Sequence, residues 1–307
     1  MNVIHTAKDL AAAGRRVCLS IGVFDGVHLG HQQIIRKTVA DARQREGLAL
    51  VVTFDRHPST IVAPAHVPPM IYSQPQKIRA IETLDADALL VIRFDEEFSR
   101  QTGEQFVRAL ANDIGRIESV CVGADFVFGQ KRSGNVALLK QLGGEMGFQV
   151  HGLAAVALDG ETVSSTRIRE AIRSGDFDAA GQMLGRAYSI AGRVAHGDQL
   201  GQKLGFPTAN LDTKGLLLPA NGVYAAHATV RKQIHRAVLN IGHRPTLQNP
   251  APEMRVEVHL LDFSGDLYGE EMEITFASRL RDEQKFASLE ELKSQITKDI
   301  EAARHAF

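Results

Sequence analysis

Two hydrophobic patterns divide the chain. Through the first 160 residues, short apolar runs alternate with segments whose apolar residues recur at helical spacing. Apolar runs joined by helical crossovers predict an open, doubly wound parallel sheet with right-handed crossovers. The predicted strands are 17–23, 48–54, 88–94, 118–122 and 148–155, and the predicted helices are 32–45, 76–84, 104–114 and 135–142.

After residue 185 the apolar residues alternate at period two, between glycine and proline turns. This pattern predicts a small antiparallel barrel, with strands 188–196, 222–230, 234–241, 254–262 and 271–278. Two short helices are expected over 164–185, with Ser165 or Thr166 as the first N-cap. A C-terminal helix should begin at a capping box of Ser288 and Glu291. We therefore expect an α/β domain over 1–186 and a β-barrel domain over 187–307.

Composition narrows the class of protein. The chain is 44% hydrophobic and 23% charged, as in globular proteins, and its net charge of -1 argues against nucleic acid as the main partner. No apolar run reaches the roughly 18 residues of a membrane span, and the first ten residues lack the apolar core of a signal peptide. Cys18 and Cys121 lie in apolar runs and are expected to be reduced, buried thiols. These features predict a cytoplasmic protein and leave its oligomeric state open.

The segment GVFDGVHLGH, residues 22–31, follows a predicted strand and precedes a helix. Free backbone N–H groups and the positive end of the helix dipole meet at such a point, which therefore suits phosphate. His28 and His31 would add donors, and charge if protonated. The alternative is a tight turn with two solvated or packed histidines. The other candidate phosphate-binding residues here are Gly22, Phe24, Asp25 and Gly26.

A second phosphate candidate lies at VSSTRIR, residues 163–169, where a loop opens into a helix. The hydroxyls of Ser164, Ser165 and Thr166 converge there with Arg167, whose planar guanidinium can clamp a phosphate. The plainer alternative is a helix cap beside a surface arginine.

Together, residues 22–31, 53–58, 123–129 and 164–169 resemble the adenylyltransferase half of prokaryotic bifunctional flavin-nucleotide synthases, which carries HxGH and SST-R-like signatures. The resemblance implies a nucleotidyltransferase that joins FMN to the AMP part of ATP and releases pyrophosphate. His28 and His31 would hold the triphosphate, and Ser164, Thr166 and Arg167 would contact it from the other side. The resemblance places these residues near the flavin: Phe54, His57, Pro58, Asp125 and Phe128. Asp55 stands where the family more often has glutamate.

In the second half, the glycine-rich segment 192–210 ends in Pro-Thr-Ala-Asn. Its N–H groups could wrap phosphates, and Thr208 and Asn210 offer hard oxygen donors suited to Mg²⁺. A plain hairpin is the alternative. Glu257 shares one face of an alternating strand with His259 and could accept a proton from an attacking hydroxyl; the alternative is an ordinary solvent-facing glutamate. No GxxxxGK[ST] occurs, which excludes a P-loop kinase.

Residues 205–210, 240–246, 257–262 and 280–286 resemble the riboflavin kinase module, a small barrel with a C-terminal helix. The resemblance implies that Thr208 and Asn210 bind Mg²⁺ and ATP phosphates and that Glu257 activates the ribityl hydroxyl. It also implies that Arg281 and Phe286 lie near the flavin. Gly201, Lys203 and Gly205 are the further phosphate candidates. Gln202 replaces an expected basic residue, so that phosphate contact would pass to Lys203 or be weaker, and Leu247 replaces a more usual phenylalanine.

The sequence thus predicts an enzyme that makes FMN from riboflavin and then FAD from FMN, with ATP and Mg²⁺ at both sites and small molecules as its partners. One alternative is a monofunctional adenylyltransferase whose barrel only senses flavin. Another is a nucleic-acid-binding relative of the class I tRNA synthetases, which a salt-dependent shift with RNA would reveal.

Overall fold

The computed structural model describes residues 1–10, 14–197, 200–243 and 254–307. The chain forms two compact units, one of Met1–Met70 with Gln74–Ser165 and the other of Ile71–Ser73 with Thr166–Phe307. The domain limits 1–186 and 187–307 stay a proposal. In the part of the chain that the structure describes, no helix is long and apolar enough to cross a membrane.

The first unit is built on a six-stranded sheet in which every pairing is parallel, in the order β1-β4-β3-β2-β5-β8. This confirms the predicted parallel sheet. It also adds an edge strand, β1, whose three residues are too few to show a period. The strands of the sheet are β1 (Asn2–Ile4), β2 (Val17–Ile21), β3 (Leu48–Phe54), β4 (Ala88–Ile92), β5 (Ile117–Gly123) and β8 (Gln149–Leu153). Two short pairs lie outside it: β6 (Val127–Phe128) with β7 (Gly134–Asn135), and β9 (Ala157–Leu158) with β10 (Glu161–Thr162).

Both faces of this sheet are buried, because parallel strands carry helices on each side. One face packs on Phe106, Leu110 and Leu139 of the following helices, and Cys18 and Cys121 are fully buried free thiols, as expected. The helices of this unit are α1 (Leu29–Gln44), α2 (Ser59–Val62), α3 (Gln74–Glu82), α4 (Glu96–Ser99), α5 (Gly103–Ile114) and α6 (Val136–Met146).

Two helices follow, α7 (Ser165–Ser174) and α8 (Phe177–Leu184). Because α7 already begins at Ser165, the prediction of Ser165 or Thr166 as its N-cap was wrong. The short pair of β9 and β10 ends at Thr162, so only Val163 and Ser164 remain before the helix.

The second unit holds a closed barrel in the order β11-β12-β15-β14-β13-β16, with antiparallel pairing throughout. The sequence predicted five of these strands and missed β12, which lies inside the glycine-rich segment and has three residues. The elements are β11 (Ser189–Ala195), α9 (Leu200–Leu204), β12 (Ala209–Leu211), β13 (Gly222–Val230), β14 (Gln233–His243), β15 (Met254–Leu260), β16 (Glu271–Arg281) and α10 (Leu289–His305).

The last helix, α10, packs against β13, β14 and β16. Ser288 Oγ caps it by accepting from Glu291 N at 3.1 Å, as the capping box predicted. The reciprocal bond differs, since Glu291 Oε2 accepts from Ala287 N at 3.1 Å and thus ties the preceding residue instead. This anchored helix covers one side of the barrel, where it helps to form a cavity.

Candidate functional site

The first candidate site lies where β2 ends and α1 begins. Phe24 and Val27 have φ of +50° and +42°, and Gly26 has φ of +75°. Non-glycine residues rarely adopt this left-handed conformation, and such strain concentrates at functional sites. The resulting 3-10 turn, Asp25–Val27, bends the chain sharply before the first N–H groups of α1.

The two histidines of this turn pack against each other. Their rings stack with centroids 3.6 Å apart, and the edge of Phe24 meets His31 at 5.2 Å. His28 is the N-cap of α1, and its Nδ1 accepts from His31 N at 3.4 Å. A Cβ on Gly30 would lie 3.2 Å from the His28 ring, so a larger residue would press on this stack.

Burial sets the charge of His31. Desolvation lowers the pKa of His31 well below its ordinary value, and the nearby His28 and Lys77 lower it further. The ring is therefore neutral near pH 7. Its buried Nδ1 has no hydrogen-bond partner within the described ranges. Buried polar atoms are normally paired, so this atom marks a place for a ligand or for water.

The serine signature approaches the same turn. Ser165 Oγ donates to the carbonyl oxygen of Asp25 at 3.3 Å, which places Ser164 and Ser165 beside the turn within the first unit. Thr166 and Arg167 continue into the first turn of α7, where the second unit begins.

The predicted flavin residues Phe54 and Phe128 belong to one aromatic row. Successive ring centroids along Phe54, Phe94, Phe98, Phe106 and Phe128 lie 5.4, 5.4, 5.5 and 6.2 Å apart. Such edge-to-face contacts are the favoured geometry of aromatic pairs. The three middle phenylalanines were not identified as site residues from the sequence, although Phe94 ends the predicted strand 88–94.

The remaining predicted flavin residues follow the ends of β3 and β5. His57 Nδ1 accepts from Ser59 N at 3.2 Å, Pro58 precedes α2, and Asp125 is exposed after β5. Asp55 binds the segment that follows β4, because its Oδ1 accepts from Phe94 N at 2.9 Å. Burial raises the pKa of Asp55, but hydrogen bonds from Arg56 and Phe94 outweigh it, so its pKa lies below the ordinary value.

The second candidate site is a cavity of about 340 Å³ between the barrel and α10. Its lining includes residues from separate segments of the chain that the sequence analysis had assigned to one site. The predicted residues that line it are Gly201, Thr208, Asn210, Glu257, Arg281 and Phe286.

Strand register brings the polar residues of this cavity together. Asn210 of β12 is the register partner of Glu257 of β15, which also pairs with Asn240 of β14. Val256 and Val258 are buried, so Glu257 points to the opposite, outer face, as the alternation predicted. Asn240 lines the cavity as well and was not identified as a site residue, because its place depends on a pairing that is remote in sequence.

Thr208 borders two cavities. It lines the first and also a second of about 290 Å³, together with Gln202, Phe263 and Tyr268. A Cβ on Gly201 would lie 3.0 Å from Thr208 Oγ1, so glycine permits this close approach.

Gly205, with φ of +92°, directly follows α9 and donates its N–H to Gln202 O. The Lys203 side chain and Leu247 lie outside the described residues.

The donor set here fits a hard cation. No cluster of three histidine, cysteine or acidic residues able to hold a metal ion occurs among the described residues. The hydroxyl of Thr208, the amide oxygen of Asn210 and the carboxylate of Glu257 border one cavity. Mg²⁺ prefers such oxygen ligands and takes the remainder from water and phosphates.

The helix α10 positions the basic residue of this cavity. Arg281 donates to both carboxylate oxygens of the buried Asp299, at 2.8 and 2.7 Å, and its guanidinium lies 5.9 Å from the centre of the Phe286 ring. Gln295 donates to the same carboxylate at 2.9 Å. Asp299 was missed from the sequence, where it reads as a polar residue on a surface helix.

Comparison with known proteins covers both halves. A family model described as FAD synthetase matches residues 11–167, and one described as riboflavin kinase matches residues 184–307. A solved structure described as a macrolide-efflux protein from Streptococcus pneumoniae is 30% identical, with a TM-score of 0.82 over 98% of each chain.

Full-length relatives agree with these matches. The bifunctional riboflavin kinase/FMN adenylyltransferase of Escherichia coli K12 is 36% identical over 100% of this chain and 98% of that protein. The protein of the same description from Pseudomonas fluorescens is 38% identical over 99% of this chain and 97% of its own length. The chain therefore belongs to the bifunctional riboflavin kinase/FMN adenylyltransferase family.

Proposed function

We propose that this chain catalyses two successive reactions. The barrel transfers the γ-phosphate of ATP to riboflavin and gives FMN, and the first unit transfers AMP from ATP to FMN and gives FAD and pyrophosphate. The observation that carries this proposal is the cavity in which Thr208, Asn210 and Glu257 meet. A barrel that only sensed flavin would need no proton acceptor beside a set of metal-binding oxygens.

In the kinase reaction, Glu257 accepts the proton of the ribityl hydroxyl as that oxygen attacks the γ-phosphate. Thr208 and Asn210 would hold Mg²⁺ and the phosphates, and the metal, when bound, would supply neutralisation of charge on the transferred group. The flavin enters the larger cavity, because the predicted flavin residues Arg281 and Phe286 line it. The nucleoside of ATP then enters the smaller one, which shares Thr208 with the first. Gly201, Lys203 and Gly205 approach the phosphates.

In the adenylyl transfer, the triphosphate lies at the turn of residues 22–31 and at Ser164 and Ser165. His28 and His31 stabilise the charge that develops on pyrophosphate, with Thr166 and Arg167 as further predicted contacts. The FMN phosphate attacks directly, so the protein supplies alignment and electrostatic stabilisation rather than a nucleophile. The flavin lies along the aromatic row, near the predicted residues His57, Pro58 and Asp125.

The proposal is tested by incubating purified protein with riboflavin, ATP and Mg²⁺ and separating the flavins by chromatography. FMN should appear first and FAD later, and chelation of Mg²⁺ should stop both. Formation of neither flavin nucleotide would refute the proposal. Formation of FAD from supplied FMN, without any FMN from riboflavin, would favour the monofunctional alternative. The partners are then small molecules, and a cytoplasmic location stays a prediction.

A further inference from the structure

A buried lysine lies beneath the first site and has no part in the mechanism above. Lys77 of α3 is only 1% exposed, and lysine is rarely buried so completely unless its ammonium group is paired with other groups. Burial lowers the pKa of Lys77 to about 8, against the attraction of Asp25 and Asp55. The sequence holds a signal for it, because Lys77 precedes the buried Ile81 of α3 by one helical turn and the buried Leu84, just beyond the helix, by two.

The ammonium of Lys77 joins the ends of two neighbouring strands. Its Nζ donates to Phe54 O at 2.9 Å, to Thr53 Oγ1 at 3.3 Å and to Val23 O at 3.4 Å. Thr53 Oγ1 in turn donates to Val23 O at 3.0 Å. Val23 leads into the histidine turn and Phe54 ends β3, so one cation ties the backbone under the predicted phosphate site to the backbone under the predicted flavin site.

We propose that Lys77 is a positioning residue for adenylyl transfer, whose ammonium fixes the histidine turn against the end of β3. This rests on the proposed function of the first unit. Packing of α3 against the 3-10 turn supports the tether. The charge acts on His31, which also faces His28, while Asp25 and Asp55 face Lys77 itself. The turn then meets ATP with a neutral His31 ring in a fixed orientation.

The test replaces the cation by an apolar side chain of similar length in the full chain, Lys77→Met. The rate of FAD formation from supplied FMN should fall by about tenfold or more, because small misplacements of reacting groups are costly. Riboflavin phosphorylation should stay unchanged, which shows that the barrel folds, and an unchanged circular dichroism spectrum shows that the first unit, which holds Lys77, folds as well. The matched control is Lys140→Met, which removes an exposed lysine of α6 in the same unit.

A second measurement separates the charge from simple packing. Titration of His31 by NMR should show its pKa raised in Lys77→Met, because a nearby cation has been removed, and kept low in Lys77→Arg. Unchanged FAD formation, or an unchanged pKa of His31, would overturn the proposal. If Lys77→Met does not fold, Lys77→Gln takes its place with the same two readouts. Wild-type protein that makes no FAD would refute the proposed function instead, and the titration would still test the effect of Lys77 on His31.

Discussion

The two candidate sites are built in opposite ways. The first depends mainly on one continuous segment, residues 22–31, whose backbone turns tightly and stacks its own histidines. The second depends on register, because Asn210, Glu257 and Asn240 come from three neighbouring strands and Arg281 from a fourth. The turn is shaped mainly by contacts within its own segment, with Lys77 as its proposed tether to β3, whereas the barrel cavity requires the whole sheet to close.

Their electrostatics differ as well. The first site offers helix N–H groups and a neutral His31, which suit an anion that is already charged and needs no proton removed. The second offers the carboxylate of Glu257 beside oxygen donors, which suits a hydroxyl nucleophile that must lose a proton. Each construction therefore matches the nucleophile of its proposed reaction: the phosphate of FMN in the first unit and the ribityl hydroxyl of riboflavin in the barrel.

The largest expected effect comes from removing the proton acceptor. Glu257→Gln should lower the rate of riboflavin phosphorylation by about 10²–10⁴-fold, the range of general base catalysis, while FAD formation from supplied FMN stays unchanged. Rates of both reactions, followed by flavin chromatography, give the measurement. Glu271→Gln, on the exposed start of β16, is the matched control. Loss of both activities in folded protein would contradict the independence of the two sites.

A substitution in the histidine turn should have the opposite effect: it should slow FAD formation and leave riboflavin phosphorylation unchanged. His31→Ala removes half of the stacked pair and should slow FAD formation from FMN by about 10²–10³-fold, as the loss of one preorganised transition-state donor does. Riboflavin phosphorylation should not change, because the barrel is formed by other residues. His66→Ala, at an exposed histidine of the same unit, should leave both rates intact. A normal rate of FAD formation in His31→Ala would remove His31 from the mechanism.

The difference between a site on one segment and a site built from several strands also explains which residues could be predicted from the sequence. The turn with its glycines and the serine signature are each contiguous in sequence, so spacing marks both as candidate phosphate sites, and the resemblance to the family supplies their roles. Period-two alternation likewise predicts the outward face of Glu257. Asn240 and Asp299 could not be found in this way, since only strand pairing and the packing of α10 bring them to the cavity.

Short elements and buried side chains account for most of the other features that the sequence analysis missed. β1 and β12 have three residues each, too few for a periodic signal. Phe98 and Phe106 lie on separate helices, and only contacts between their rings join them to Phe54. Lys77 reads as an ordinary surface lysine unless the apolar residues one and two turns later are taken into account.

The smallest effect should come from a residue that acts on the barrel site through another side chain. Asp299→Asn replaces a carboxylate that holds both donors of Arg281 and weakens hydrogen bonds of the charged kind, which contribute about 1.5–3 kcal/mol each. The KM for riboflavin should rise about tenfold, equivalent to about 1.4 kcal/mol, with little change in kcat, because Glu257 and Thr208 stay in place. Initial rates at varied riboflavin concentration measure this, with the exposed Glu290→Gln at the start of α10 as control. An unchanged KM would show that Arg281 keeps its position without Asp299, and that the barrel cavity is as locally determined as the histidine turn.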